Sequence, residues 1–116
     1  IKIPWSVNSL AQDAANAVIK NLTHLKKSNI IIQKESKYLE DKISNLDGFE
    51  CMPSSTNFIL IKTKYDSTKL QTKLLKYNLL IRDCKNFRGL DNHYIRIAVK
   101  SHKDNVKLVN ALEKIK

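Results

Sequence analysis

Leu10, Ala14, Val18, Leu22 and Leu25 recur at spacings of three and four, the repeat that lays one apolar stripe along a helix. The pattern predicts a helix from about Ser9 to Asn29. Ile32, Leu39, Ile43 and Leu46 follow at spacings of seven, four and three, so helix continues or restarts as far as Asn45. Asp47-Gly48 then ends it, because glycine tolerates the left-handed backbone of a helix terminus. Phe49 to Met52 reads as a short strand and Pro53-Ser54-Ser55 as a turn. The run Phe58-Ile59-Leu60-Ile61-Lys62-Thr63 is short, rich in β-branched and large apolar residues and bounded by turn formers, which predicts a buried strand. Asp66-Ser67 can cap a helix whose Leu70, Leu74 and Tyr77 share a face, with Asn78 as its stop. Leu79 to Arg82 reads as a strand, Asp83 to Asn92 as a loop, and Tyr94 to Val99 as a strand with Ile95, Ile97 and Val99 on one face. Ser101-His102-Lys103-Asp104 resembles a capping box, opening a last helix that presents Val106, Val109, Leu112 and Ile115. The order predicts an α+β fold: a small, mostly antiparallel sheet with helices packed on it, in a single domain over residues 1–116.

Composition changes this picture little. The 116 residues have a hydrophobic share of 42%, ordinary for one domain with a core. The net charge of +10 invites a nucleic-acid reading, but lysine carries nearly all of it and is scattered along the chain. A solvated basic surface is the simpler expectation. Cys51 and Cys84 form no Cys-x-x-Cys pair, and His24, His93 and His102 stand far apart, so neither zinc nor a disulfide framework is expected. No apolar run is long enough to span a bilayer. A cytoplasmic protein with no membrane partner is expected, and the opening Ile1-Lys2-Ile3-Pro4, without an initiator Met, suggests a piece of a longer chain.

Arg82 and Arg96 are the arginines predicted at strand positions, among residues expected to be buried. A buried guanidinium needs an anion, and its planar fork suits carboxylate and phosphate. A ligand could supply that anion; so could Asp83, Asp91 or Glu50. Asn86 and Arg88 could line such a site but are expected in a solvent-facing turn. Cys84 is expected to be a small buried thiol rather than a nucleophile. Packing and helix capping are the expected roles of Trp5 and Asn8.

Several segments in this order resemble the C-terminal small domain of pyridoxal-phosphate enzymes of the histidinol-phosphate aminotransferase and threonine-phosphate decarboxylase group. They are Pro4-Trp5-Ser6-Val7-Asn8 before an Ala-rich helix, Ser55-Thr56-Asn57-Phe58-Ile59, Ile81-Arg82, and Ile95-Arg96-Ile97-Ala98-Val99. The loop Asp83-Cys84-Lys85-Asn86-Phe87-Arg88-Gly89-Leu90 looks more like the decarboxylase branch, which implies cobamide biosynthesis. The resemblance implies that Arg96 holds the α-carboxylate of an amino-acid or amino-acid-phosphate substrate and that Arg82 is a second anion contact, for a substrate phosphate. It also implies pyridoxal 5'-phosphate and a homodimer in the full-length enzyme. The cofactor-binding large domain would lie outside this chain, which carries nothing like the cofactor-lysine motif and is expected to hold no cofactor and no catalytic residue by itself. The alternative is a free-standing basic α+β module gripping RNA or another polyanion. Such sheets offer exposed aromatics for stacking, whereas here Phe58 reads as buried and Tyr94 is the lone candidate.

Overall fold

The first helical stripe is cut in two at Lys20-Asn21. In the computed structural model, which describes residues 7–115, α1 spans Ser9–Ile19 and α2 spans Leu22–Ser44. Asn21 favours the cap over the helix interior because its side chain can replace a missing backbone partner; its Oδ1 accepts from the His24 N–H at 3.2 Å. Asn8 caps α1 in the same way, accepting from the Ala11 N–H at 2.8 Å. The proposed packing of Trp5 lies outside the described residues. The chain divides into two compact units, residues 1–31 and 32–116. In the first, α1 buries none of its side chains, and Leu10 is 80% exposed.

The second unit holds the sheet. After α2, Gly48 takes a φ of +82° and Lys64 lies across it to pair with Asp47; a Cβ at Gly48 would run into the Lys64 side chain. The strands are β1 (Phe49–Cys51), β2 (Phe58–Thr63), β3 (Arg82–Asp83) and β4 (Tyr94–Ala98), ordered β1-β2-β4-β3 and antiparallel at every pairing. Helices α3 (Ser67–Leu75) and α4 (His102–Glu113) complete the unit. Both carry the caps their sequences announce: Asp66 accepts from the Lys69 N–H at 3.0 Å, and Ser101 Oγ from the Asp104 N–H at 3.3 Å. The α+β expectation holds.

One core joins Ile59 and Ile61 of β2, Ile95 and Ile97 of β4, Leu39 and Ile43 of α2, Leu70 and Leu74 of α3, and Leu108 and Leu112 of α4. Ile59 and Ile61 are wholly buried, and each contributes roughly 2 kcal/mol by leaving water. The strand expected over Leu79–Arg82 is shorter and shifted. Asn78 adopts a φ of +54° and the Leu79 N–H turns back to the Leu74 carbonyl at 3.2 Å, so Leu79 serves the helix exit and pairing begins at Arg82.

Candidate functional site

With the isoleucines of β2 and β4 directed into the core, strand alternation sends Phe58, Leu60, Arg96 and Ala98 to the opposite face. Register places Leu60 opposite Arg96, and Arg96 opposite Arg82 on the edge strand, so the two arginines are direct cross-strand neighbours. This face stays open: Arg82 and Ala98 are exposed, Phe58 is 37% exposed and Arg96 is half-buried. Two expectations are thereby corrected. The arginines are not buried, because both lie on the strand face away from the core. Phe58 is not a core residue, because its phase is opposite to that of Ile59 and Ile61.

A groove of about 420 Å³ runs along this edge, lined by Phe58, Gln71, Leu80, Arg82, Arg96 and Ala98. The Arg96 guanidinium sits 4.4 Å from the centre of the Phe58 ring, and that of Arg82 lies 5.4 Å from the Phe87 ring. Arg82 Nη2 also donates to Asn86 Oδ1 at 3.2 Å, so Asn86 holds the Arg82 side chain although its turn is exposed. Among the described residues neither arginine forms an ion pair with a carboxylate.

The acids proposed as internal partners are otherwise arranged. Asp83 accepts from Ser67 Oγ and Thr68 Oγ1 at 2.8 Å each and from the Lys85 N–H at 3.0 Å, with Lys85 Nζ at 3.5 Å. Partial burial pushes its carboxyl up, but these hydrogen bonds and Lys85 outweigh that and hold it down to about 2. Asp91 accepts from the His93 N–H at 2.8 Å, and Glu50 is exposed on β1, at the far end of the sheet order from Arg82. Asp83 is thus the bolt that fastens β3 to the start of α3, helped by Gln71 Nε2 donating to the Ile81 carbonyl at 2.7 Å. The backbone on both sides of Arg82 is pinned, while its side chain meets Asn86 and the Phe87 ring and, among the described residues, no carboxylate.

Cys84 is buried behind the arginines, its Sγ donating to the Arg82 carbonyl at 3.7 Å. Burial pushes the thiol up and the two guanidiniums pull it back only in part, so it is a thiol at neutral pH and a poor nucleophile. Arg88 is exposed in the loop. Among the described residues no three His, Cys, Asp or Glu side chains are grouped to hold a metal, and no helix is long and apolar enough to cross a membrane.

Arg82 and Arg96 are thus cross-strand neighbours with no carboxylate partner among the described residues, and a guanidinium's planar fork suits carboxylate or phosphate oxygens. Residues 1–115 match the model of the aminotransferase class I and II family. The chain belongs to that family. It is 33% identical over 118 residues to the histidinol-phosphate aminotransferase of Methanosphaera stadtmanae, covering 99% of this chain and 32% of that protein. The histidinol-phosphate aminotransferase of Clostridium acetobutylicum superposes with a TM-score of 0.87 at 31% identity, over 98% of this chain and 35% of the other. The L-threonine-O-3-phosphate decarboxylase of Porphyromonas gingivalis gives 0.78 at 35% identity, over 97% and 35%. The chain therefore spans about a third of the length of these relatives.

Members of this family use pyridoxal phosphate. The groove's donors are two guanidiniums and an amide, with aromatic and aliphatic walls and no lysine amine. That set fits carboxylate or phosphate oxygens and does not fit an aldehyde that must be held as an imine.

Proposed function

We propose that the chain is the substrate-recognising C-terminal domain of a pyridoxal-phosphate-dependent aminotransferase or amino-acid-phosphate decarboxylase. In this reading Arg96 binds the substrate carboxylate and Arg82 a second anionic group. The observation that carries it is the Arg82–Arg96 cross-strand pair, two like charges opposite each other with, among the described residues, no carboxylate on either. Like charges directly opposite in a sheet are unfavourable, so the arrangement is relieved when an anion bridges it. L-Threonine O-3-phosphate, the compound named for the Porphyromonas enzyme, carries a carboxylate and a phosphate and offers one anion to each guanidinium. The cofactor belongs to protein outside this chain, as does the partner subunit of a homodimer. When bound, pyridoxal phosphate supplies the electron sink for bond breaking at the substrate Cα. The role of this chain is orientation: a carboxylate fixed by Arg96 leaves the substrate Cα little rotational freedom, and so selects which of its bonds is set to break.

The test is steady-state kinetics of the full-length protein with L-threonine O-3-phosphate and with L-histidinol phosphate. Arg96→Lys keeps the charge but loses the fork; it is expected to raise KM for the compound turned over by roughly tenfold or more, with cofactor absorbance unchanged. Unaltered kinetics would remove Arg96 from the site.

A further inference from the structure

The open sheet face raises a question that the arginines alone do not answer: what holds a guanidinium ready when no carboxylate does. An acidic neighbour would occupy the fork, since a carboxylate binds the same paired N–H edge that a substrate anion needs. An aromatic ring instead attracts the guanidinium through its face and leaves the edge donors unspent. The Phe58 ring lies 4.4 Å from the Arg96 guanidinium carbon, close enough for this contact. Register explains the meeting: Phe58 pairs with Ala98 and Leu60 with Arg96, so Phe58 and Arg96 are diagonal neighbours on one face of β2 and β4.

The start of β2 is unusually well tied down. Ser54 Oγ donates to the Phe58 carbonyl at 2.5 Å, the Phe58 N–H donates to Thr56 Oγ1 at 3.2 Å, and the Val99 N–H donates to the Asn57 carbonyl at 2.8 Å. These bonds fix the backbone that presents the ring. Arg82, on the edge strand, has the looser counterpart: a ring at 5.4 Å and one N–H given to Asn86.

We propose that Phe58 is a positioning residue that holds the Arg96 guanidinium by its face, so that the N–H edge stays presented to the substrate anion. The proposal rests on the anion-binding role of Arg96 given above. It makes substrate affinity depend on a residue whose aromatic π face, and not its bulk, is what matters. Leucine fills similar space without a π face, whereas tyrosine keeps the face.

The test compares Phe58→Leu, Phe58→Tyr and Arg96→Met in the full-length protein, with KM and kcat measured on L-threonine O-3-phosphate or L-histidinol phosphate, whichever is turned over. Phe58→Leu is expected to raise KM roughly three- to tenfold with kcat nearly unchanged, and Phe58→Tyr to restore KM to within about twofold. Thermal midpoints and cofactor absorbance recorded on the same samples separate lost affinity from lost folding. If Arg96→Met raises KM while Phe58→Leu leaves it unchanged, or if Leu and Tyr behave alike, the positioning role is overturned and the role of Arg96 stands. If Arg96→Met itself leaves KM unchanged, the anion-binding reading fails and the positioning role falls with it.

Discussion

Glu35 is a buried charge and Arg96 a half-buried one on an open sheet face, and the protein surrounds them in opposite ways. Glu35, only 5% exposed on α2, is closed in by its own fold. It accepts from Asn105 Nδ2 at 2.9 Å and faces His102 Nδ1 at 3.1 Å. Asn105 in turn donates to the Lys100 carbonyl at 3.0 Å and accepts from the Lys100 N–H at 3.1 Å, so every polar group of its side chain is used. The Tyr38 ring meets the His102 ring edge-on at 4.8 Å. Arg96, by contrast, rests on an aromatic face and, among the described residues, has no carboxylate partner. A charge whose partners are all internal holds a structure together, here joining α2 to the start of α4. A charge with a neutral support and donors that no carboxylate takes is the arrangement that the proposed anion-binding role of Arg96 would use.

The sharpest way to break the closed side of this contrast is Asn105→Ala. It removes the principal donor to a buried carboxylate and both bonds to Lys100, and is expected to cost about 2–4 kcal/mol in urea unfolding. A loss below about 0.5 kcal/mol would mean the cluster is decorative.

Acid tests the same contrast more gently. The Asn105 hydrogen bond lowers the Glu35 carboxyl in spite of its burial, with His102 adding to the effect. Asp83 is held at about 2 against an ordinary 3.8. Folded carboxyls held below their unfolded values bind protons less readily than the unfolded chain does. Their stabilisation is therefore complete above the unfolded pKa, near 4, and is lost as pH falls through the lowered folded values, about 2 for Asp83. Asp83 accounts for about 2 kcal/mol of that loss. Urea midpoints taken at about pH 6, 4 and 3 should fall steeply for the unaltered protein and less steeply for Asp83→Asn. Parallel curves for the two would show that Asp83 is not the bolt between β3 and α3.

Much of this was legible in the chain itself. The caps Asn8, Asp66 and Ser101 are short-range chemistry, and so is the alternation of Ile95 and Ile97 that brings Arg96 out on the far face. Hidden from it were the features set by distant neighbours. Asp83 looks like a partner for Arg82 in sequence, but it bonds to Ser67 and Thr68, 16 and 15 residues away. Phe58 reads as core because its run is apolar, although its phase against Ile59 and Ile61 was the available signal. Glu35 sits three residues after Ile32 and four before Leu39, on the apolar stripe of α2. That position alone demands a buried partner, but only the fold brings Asn105 to it from 70 residues away. The break at Lys20-Asn21 was masked by a stripe that runs through it in register.

If Arg82 and Arg96 bind an external anion with the N–H donors that no carboxylate takes, Arg82 having given one to Asn86, the chain contains its own control, because Arg88 is its one other arginine. Titrating inorganic phosphate into the protein at constant ionic strength, with the arginine Nε–H signals followed by NMR, tests that binding directly. The account predicts saturating shifts for Arg82 and Arg96 and none for Arg88. Equal drift of all three, or no movement of Arg96, would contradict it.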